Sequence, residues 1–391
     1  MEKNNLFNAC KIFTPKDLKD FSSKTNIPID RLKSYNVSNT LPTGLDLEKI
    51  TQYIDLNKLK IELGIFDNNL KEVIKNYFSD EKYQSIKSSA SHQQERLNFQ
   101  PNFETKLGKL YNEDCSEWLK SIQSDSVDMV FADPPFNLNK DYPSQINDNL
   151  TPDNYVKWCE NWLFESCRVL KQGGSLFLWN LPKWNTQLSQ YLSTMLTFKN
   201  WIAVDIKYGL PIQNRLYPSH YSLLYFVKGK ANNHFSPDRL PMETCPSCYR
   251  EIKDYGGYKS KMNPNGINLT DVWVDIPPVR HSKYKKRKGV NELSVKLMDR
   301  IIEMSTKEND LILDPFGGAG TTYIVSEIKK RRWLGTEIGP LDDIVNRFNY
   351  IHEDESYLNS IRENINCLFT EKVLNKRLDN NIWTDKSFQK T

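Results

Sequence analysis

Four consecutive residues combine an acid, a rigid backbone and an aromatic ring: Asp133, Pro134, Pro135 and Phe136. The apolar run 127–131 precedes them and predicts a buried strand, which ends where the prolines forbid further pairing. The prolines fix the backbone, so the Pro134 carbonyl points in a set direction beside the Asp133 carboxylate. Two acceptors next to a flat ring suit a planar heterocycle that carries an exocyclic NH2 group. Taken alone, the four residues fit a rigid loop as well as a site.

A second candidate site follows about 180 residues further along the chain, where the apolar run 311–313 leads into Asp314 and a glycine-rich turn. The residues of interest in this turn are Phe316, Gly317, Gly318, Gly320, Thr321 and Thr322. Glycines let the backbone approach a ligand, and free N–H groups at a helix start favour a carboxylate. The next predicted strand ends in Glu337, an acid suited to ribose hydroxyls. A single glycine-rich turn occurs in many α/β folds and identifies no ligand by itself.

Together, the two stretches resemble the DNA amino-methyltransferases that use S-adenosylmethionine. The resemblance is to the group in which the Asp-Pro-Pro-aromatic motif precedes the Phe-x-Gly-x-Gly motif, and it covers roughly residues 107–350. It implies a site-specific enzyme of restriction-modification type that methylates the exocyclic N6 of adenine in duplex DNA. In this family an Asp at the first motif position goes mostly with adenine and a Ser with cytosine, which leaves cytosine N4 as the alternative.

The resemblance also implies roles for single residues. The Asp133 carboxylate and the Pro134 carbonyl would each accept one N–H of the target amine, and Phe136 would stack on a base flipped out of the duplex. Asp314, Glu337 and the glycine-rich turn would hold the cofactor. Asp114 is a further cofactor candidate, although it fits the N-cap of a following helix equally well. Residues 291–293 read Asn-Glu-Leu where many relatives carry Lys-Pro, so the contact made there by relatives stays open.

The order of strands and helices predicts the α/β class, with a mostly parallel sheet covered by helices on both faces. The resemblance implies a circularly permuted methyltransferase topology, in which the base half and the cofactor half meet at the switch point. A helix is predicted from Pro152 to Leu170, and strands are predicted over 175–179, 202–208 and 221–227, the last two as an antiparallel pair. The helix carries Tyr155, Trp158, Trp162 and Leu163 at helical spacing, which favours a core position over base stacking.

These patterns divide the chain into six segments. They are a helical, helix-turn-helix-like domain (1–78), a linker (79–106), a catalytic half of the core (107–228), a target-recognition region (229–290), a cofactor half (291–350) and a C-terminal helical extension (351–391).

The spacing of apolar residues over 13–66 predicts short helices, with Thr14 as an N-cap and a break at residues 26–28. The arrangement looks like the helix-turn-helix of phage-repressor type, which would bring Arg31 and Lys33 near bases. A plain helical bundle that packs on the enzyme or on a second copy of the chain explains the pattern too. DNA binding by this segment and a homodimer therefore both stay open.

The net charge of the 391-residue chain is only +4, so the total charge does not indicate nucleic-acid binding. Local clustering is more informative, because Arg280, Lys283, Lys285, Lys286 and Arg287 fall within eight positions. Such a run is usually a solvated face. In a chain with the resemblance above, it favours contact with DNA phosphates.

Cys245 and Cys248 form a lone CxxC, which His234 and His281 could complete as zinc ligands only with irregular spacing. We therefore expect structural thiols and no metal. Seven scattered cysteines suit reduced thiols in a cytoplasm, and no apolar run approaches the 18 residues of a membrane span.

Two classes of function fit the sequence. One is a methyltransferase that protects DNA against a partner restriction endonuclease, and the other is a DNA-binding regulator that uses the same fold. Intact Asp133 and intact glycines favour the enzyme. Methylation of RNA is a third alternative, which duplex DNA and structured RNA as competing acceptors would separate.

Overall fold

The computed structural model describes residues 6–38, 41–42, 45–56, 59, 63, 99–140, 148–205, 213–214, 216, 218–250, 262–277 and 292–385. The chain divides into two compact units, residues 1–94 and residues 95–391, which we call the N-terminal unit and the main unit. No helix in the described ranges is long and apolar enough to cross a membrane.

The N-terminal unit contains the helices α1 (Leu6–Ala9), α2 (Pro15–Thr25), α3 (Ile29–Ser38) and α4 (Leu45–Thr51). The predicted N-cap is confirmed: Thr14 Oγ1 accepts a hydrogen bond from the Asp17 N–H (3.2 Å), and the Asp17 carboxylate accepts one from the Thr14 N–H (2.8 Å). Asn26 ends α2 in the left-handed conformation. The apolar faces of the helices enclose a core that includes Leu6, Leu18, Ile27, Leu32 and Ile50.

The main unit is built on a nine-stranded sheet with the order β1-β2-β11-β10-β3-β4-β6-β5-β9. Its strands are β1 (Phe103–Glu104), β2 (Gly108–Tyr111), β3 (Val127–Ala132), β4 (Leu170–Asn180), β5 (Thr197–Asp205), β6 (His220–Val227), β9 (Val272–Trp273), β10 (Leu311–Asp314) and β11 (Arg332–Thr336). β7 (Arg239–Leu240) and β8 (Ile267–Asn268) form a separate antiparallel pair.

The five strands from β2 to β4 in this order are parallel, while β6 is antiparallel to both β4 and β5. The sheet is therefore mainly parallel, as predicted, and the closing antiparallel pair is confirmed as β5 and β6.

Helices cover both faces of the sheet. The described helices of the main unit are α5 (Cys115–Ser121), α6 (Pro152–Val169), α7 (Pro182–Ser193), α8 (Val295–Ser305), α9 (Thr321–Ile328), α10 (Asp342–Phe348), α11 (Ile351–Arg362) and α12 (Glu371–Asp379). Successive strand residues alternate between two cores, as the pleat requires. Leu176 and Leu178 of β4 pack with α6, and Phe177 packs with α8.

The aromatic face of α6 lies in the core, as predicted. Tyr155, Trp162 and Leu163 are buried, and Trp158 packs against them. The strand predicted over residues 175–179 is longer than expected and begins at Leu170, directly after the helix. The extension arises because Gly173, with φ +77°, lets the strand continue after a register shift against β3.

The C-terminal segment packs on part of the predicted target-recognition region. Met242, Leu368, Phe369 and Trp383 form one apolar cluster, and the Met242 N–H donates to the Leu368 carbonyl (2.8 Å). The end of the chain and the neighbourhood of β7 and β8 thus share a core.

The strands β3 and β10 are neighbours, and the chain leaves them in opposite directions. From β10 it passes through α9 to β11, while from β3 it passes through α6 to β4 on the other side. This arrangement makes a switch point, which opens a crevice at the carboxyl ends of the two strands. Asp133 follows β3 and Asp314 ends β10, so the two predicted half-sites lie at this crevice.

Candidate active site

The turn after β3 is held by two long side chains from the helices behind it. The Tyr155 hydroxyl donates a hydrogen bond to the Pro135 carbonyl (2.6 Å), and the Trp184 indole N–H donates one to the Phe136 carbonyl (2.8 Å). Asn180 in turn donates to the Tyr155 hydroxyl (2.9 Å). Because these donors are buried in the core, the turn has a fixed shape.

The Asp133 carboxylate and the Pro134 carbonyl differ in hydrogen bonding from the carbonyls of Pro135 and Phe136, which each accept a hydrogen bond. Among the residues that the structure describes, none donates a hydrogen bond to the Asp133 carboxylate or the Pro134 carbonyl. Two neighbouring acceptors therefore remain available to an external donor with two hydrogens, such as an amine.

The Asp133 carboxyl lies in an environment that disfavours its charge. The side chain is half-buried and closely surrounded by protein, and this desolvation raises its pKa well above the ordinary value. The charge of Asp314 raises this pKa further, whereas that of Lys140 lowers it. Strong perturbation in a crevice is typical of functional carboxylates.

Asp314 organises the glycine-rich turn from inside. One carboxylate oxygen accepts a hydrogen bond from the Phe316 N–H (2.9 Å), and the other accepts one from the Thr322 hydroxyl. Burial raises the pKa of Asp314 to about 7, against the lowering effect of these two donors, and the charge of Glu337 adds to the rise. Since both oxygens are engaged within the turn, Asp314 shapes the backbone around a ligand.

The turn leaves room for a ligand at one glycine and none at another. Gly318 has φ +52°, and a Cβ built there meets nothing within 4 Å. Gly320 has φ +72°, and its Cβ would lie 2.7 Å from Ile344. The N–H groups of Gly318 and Gly339 donate to opposite oxygens of Glu337 (2.8 and 2.7 Å), so this carboxylate is fixed beside the open face of the turn.

Phe316 and Asp114 complete the predicted cofactor residues. The Phe316 ring packs edge-on against Trp162, with 4.9 Å between ring centroids. Asp114 is the N-cap of α5 and accepts a hydrogen bond from the Ser116 N–H (2.7 Å), which confirms the capping alternative. A cofactor contact by Asp114 stays a prediction.

Sequence reasoning missed the residues that support the two turns. Arg347 is buried, and its guanidinium donates to the Ala319 carbonyl (3.0 Å), the Thr321 hydroxyl (2.7 Å) and the Asp354 carboxylate (3.0 Å). Asp148 holds the residues after Phe136 in a similar manner. A lone Arg on a helix or a lone Asp in a polar loop carries no periodic signal, so neither was recognisable.

The predicted DNA contacts fall in different places. Arg280, Lys283, Lys285, Lys286 and Arg287 lie outside the described residues. Arg31 and Lys33 are exposed on α3 of the N-terminal unit.

Within that unit, Arg31 forms an ion pair with Asp46 (3.2 Å). Asn36, on the same helix, accepts a hydrogen bond from the Phe7 N–H (2.8 Å) through its side-chain oxygen.

Neither cysteine of the predicted CxxC pair takes part in a disulfide, and Cys248 is exposed while Cys245 is half-buried. The described part of the chain holds no group of three or more His, Cys, Asp or Glu residues that could bind a metal ion. His281 lies outside that part.

A family model described as DNA methylase matches residues 127–341, which include both turns. The chain is 48% identical over 374 residues to the type II methyltransferase M.BamHI of Bacillus amyloliquefaciens, and the match covers 93% of this chain and 87% of that protein. It is 31% identical over 248 residues to the type II methyltransferase M.BglII of Bacillus subtilis, covering 59% of this chain and 66% of that protein. The PvuII DNA methyltransferase (cytosine-N4-specific) aligns with a TM-score of 0.47 at 19% identity, over 66% of this chain and 95% of that chain.

Proposed function

Because the chain belongs to the family of DNA methylases, we propose that its site transfers a methyl group to the exocyclic N6 of adenine in duplex DNA. The protein is an S-adenosylmethionine-dependent DNA amino-methyltransferase of restriction-modification type. The single observation that carries the proposal is the pair of acceptors on Asp133 and Pro134, to which none of the described residues donates a hydrogen bond. They lie next to the carbonyls of Pro135 and Phe136 that Tyr155 and Trp184 hold in place.

The exocyclic amine is a poor nucleophile, because its lone pair is delocalised into the ring. If the Asp133 carboxylate and the Pro134 carbonyl each accept one N–H, the nitrogen becomes pyramidal and its lone pair is freed. As the nitrogen takes the methyl group, the methyl–sulfur bond would break and its electron pair would stay on a neutral thioether leaving group. The nitrogen would then be cationic, and an ionised Asp133 would stabilise this charge and accept one amine proton. Fixed acceptors need little rearrangement during the step, which is the main electrostatic contribution to such catalysis. S-adenosylmethionine supplies the methyl group in activated form on a sulfonium.

The glycine-rich turn fits S-adenosylmethionine. Gly318 has open space where a side chain would lie, so the backbone can approach a ligand closely. Glu337 keeps further lone pairs for ribose hydroxyls, since each oxygen is engaged by one backbone N–H. The cofactor would be held by the predicted set: Asp114, Asp314, Phe316, Gly317, Gly318, Gly320, Thr321, Thr322 and Glu337.

The target base lies inside a duplex, so the proposed chemistry requires base flipping. Phe136 is the ring against which we expect the flipped base to stack. Its position is fixed by Tyr221, whose ring centroid lies 5.9 Å away, and by the hydrogen bond from Trp184. Stacking on a preset ring repays part of the few kcal/mol that unstacking costs.

The target atom can be tested directly. Duplex DNA is incubated with the protein and labelled S-adenosylmethionine, digested to nucleosides and separated, with structured RNA as a parallel acceptor. We expect label in N6-methyladenosine from DNA. Label in N4-methylcytosine alone, or in RNA alone, would contradict the proposal.

The chain order supports a circularly permuted methyltransferase topology, because β3 with its catalytic turn precedes β10 with its cofactor turn. We assign target recognition to residues 229–290, including the basic residues Arg280, Lys283, Lys285, Lys286 and Arg287. The partner would be a restriction endonuclease that cleaves the same site when it is unmethylated.

For the N-terminal unit we propose a helix-turn-helix that binds a separate operator. The support is the short break between α2 and α3 and the exposed Lys33 on α3. The full-length Lys33→Glu variant should lose binding to upstream DNA in a gel shift and keep its methylation rate, with Lys19→Glu on α2 as the matched control. If both variants bind like the unsubstituted protein, the unit is a plain bundle, and its role in a homodimer becomes the alternative.

A further inference from the structure

Asn112 joins the ends of two neighbouring parallel strands on the cofactor side of the crevice. β2 ends at Tyr111 and β11 ends at Thr336, and the Glu337 N–H still donates to the Tyr111 carbonyl (3.0 Å). Beyond this bond, the NH2 group of the Asn112 side chain donates to the Glu337 carbonyl (2.8 Å) and to the Gly339 carbonyl (2.9 Å). Because both partners are carbonyl acceptors, the amide nitrogen must face them, and both of its hydrogens are used.

The two carbonyls belong to the segment that carries the Glu337 carboxylate. The Gly318 N–H donates to one oxygen of this carboxylate (2.8 Å), and the Gly339 N–H donates to the other (2.7 Å). Gly339 thus bonds to Asn112 through its carbonyl and to Glu337 through its N–H. Asn112 therefore fixes the backbone of Glu337, while the two glycines fix its carboxylate.

The backbone of Asn112 is held as well. Its N–H donates to the side-chain oxygen of Asn102 (2.8 Å), and the Asn102 N–H donates to the Leu110 carbonyl of β2 (2.9 Å). Asn112 itself is exposed, but Gly339, on which one of its amide bonds ends, is buried. The amide group therefore reaches the Glu337 segment from a position that the sheet determines.

The fixed carboxylate of Glu337 is suited to bind two hydroxyls at once. Each oxygen keeps a lone pair after its bond to one N–H, and the side chain is only half-buried, so a ligand can reach it. Two neighbouring hydroxyls, as on a ribose, can both bond to the carboxylate only while its plane keeps one direction. A displacement of about 1 Å takes a hydrogen bond beyond its useful range.

We propose that Asn112 is a positioning residue for the cofactor, which holds the Glu337 segment so that the carboxylate meets both ribose hydroxyls of S-adenosylmethionine. The preference for a cofactor with both hydroxyls then depends on a side chain that acts only through Glu337. The inference rests on the proposed role of Glu337 in cofactor binding.

The test compares the binding of two ligands by calorimetry: S-adenosylhomocysteine, which the cofactor becomes after methyl transfer, and its 2′,3′-dideoxy analogue. The unsubstituted protein should bind S-adenosylhomocysteine at least about tenfold more tightly, because the analogue lacks both hydrogen bonds to the carboxylate. In Asn112→Ala, the Kd for S-adenosylhomocysteine should rise about tenfold and that for the analogue less than about twofold. Binding of the analogue also shows that the variant is folded. A general loosening of the site would weaken both ligands equally, and that result would overturn the inference.

Asn233→Ala is the matched control. Asn233 is also exposed, and its amide group donates to the Gln172 carbonyl (2.7 Å). Gln172 lies near the start of β4, at the opposite edge of the sheet from the crevice. Both Kd values should therefore stay unchanged in Asn233→Ala. An equal loss of preference in the two variants would contradict a special role of Asn112.

A double substitution shows whether Asn112 acts through Glu337. In a Glu337→Ala background, Asn112→Ala should not weaken S-adenosylhomocysteine further, whereas additive losses would overturn the inference. If the unsubstituted protein binds both ligands equally, the proposed role of Glu337 fails and the inference fails with it. A failure of the proposed methyl transfer would instead appear in the nucleoside digest, which neither binding measurement involves.

Discussion

Asp314 acts electrostatically on Asp133 from the neighbouring parallel strand, and its charge raises the pKa of the Asp133 carboxyl. The two carboxyls belong to different half-sites, since one ends the cofactor strand and the other opens the catalytic turn. The boundary between the half-sites is therefore a place where two acids interact, and this interaction adds to the effect of burial, which raises the pKa of Asp133 most.

Removal of the Asp133 carboxylate should separate catalysis from cofactor binding. Asp133→Ala removes one of the two acceptors for the amine, so kcat should fall at least about 100-fold. The glycine-rich turn is not altered, so the Kd for S-adenosylmethionine, measured by calorimetry, should stay within about threefold. An equal loss of cofactor affinity would show that Asp133 also holds the cofactor. Asp133→Asn keeps one oxygen acceptor and loses only the charge, so its kcat should fall less than that of the Ala variant.

Asp314 should make the main unit less stable as the pH rises. Its pKa is about 7 in the folded protein and 3.8 ordinarily, so between these values the folded state binds more protons than the unfolded state. The free energy of unfolding then falls as pH rises from about 4 to 7, by up to roughly 4 kcal/mol for a shift of this size. Asp314→Asn lacks this dependence. Its free energy of urea unfolding, relative to that of the unsubstituted protein, should therefore be higher at pH 8 than at pH 5. Parallel changes in both proteins would contradict the assignment.

Substitution by Ala should have different effects at the two turn glycines with positive φ, Gly318 and Gly320. Gly318→Ala places Cβ in open space, so its cost to the protein should be only the backbone strain of about 1–2 kcal/mol. The same methyl group would occupy the space offered to the cofactor and weaken its binding. Gly320→Ala meets Ile344 and should lower Tm further. Calorimetric Kd and Tm for both variants check this, and a lower Tm for Gly318→Ala than for Gly320→Ala would contradict it.

Arg347 should matter for the cofactor as well as for the fold, because its guanidinium also pairs with the buried Asp354 carboxylate. Arg347→Met removes the donors to Ala319 and Thr321, so the turn loosens and the Kd for S-adenosylmethionine should rise about tenfold or more. At saturating cofactor, kcat should change little. Arg377→Met is the control, because Arg377 is also fully buried but packs on Phe369 and Trp383. It should lower Tm and leave Kd unchanged, whereas equal effects on Kd would refute a special role of Arg347.

The sequence predicted those parts of the site whose structure depends on residues that are neighbours in the chain. An apolar run ended by Pro134 or by Gly317 identifies both the strand and the turn that follows it, so β3, β10 and β11 were predictable within one or two residues. The supporting residues were not. The bond from Trp184 to the Phe136 carbonyl joins residues 48 positions apart, and no periodicity encodes such a contact.

Two details required the three-dimensional structure for a different reason. Gly318 and Gly320 are equivalent in the sequence pattern, and only the position of Ile344 distinguishes the glycine that a neighbour crowds from the one that faces open space. Asp114 fitted both a cap and a ligand in sequence, and the cap became certain only with the hydrogen bond from Ser116.

The pairing of β3 with β10 also has a consequence for the synthesis of the protein. Met129 pairs with Ile312, about 180 positions later, so β3 leaves the ribosome long before the strand that covers one of its edges exists. At 5–20 residues per second, this edge waits for about 10 to 40 s. An unpaired apolar strand edge is a template for association with other chains. β4 pairs with the opposite edge of β3 and leaves this one uncovered. The nascent chain therefore depends on chaperones to protect this edge, and neither half-site can become active before translation of the cofactor strand is complete.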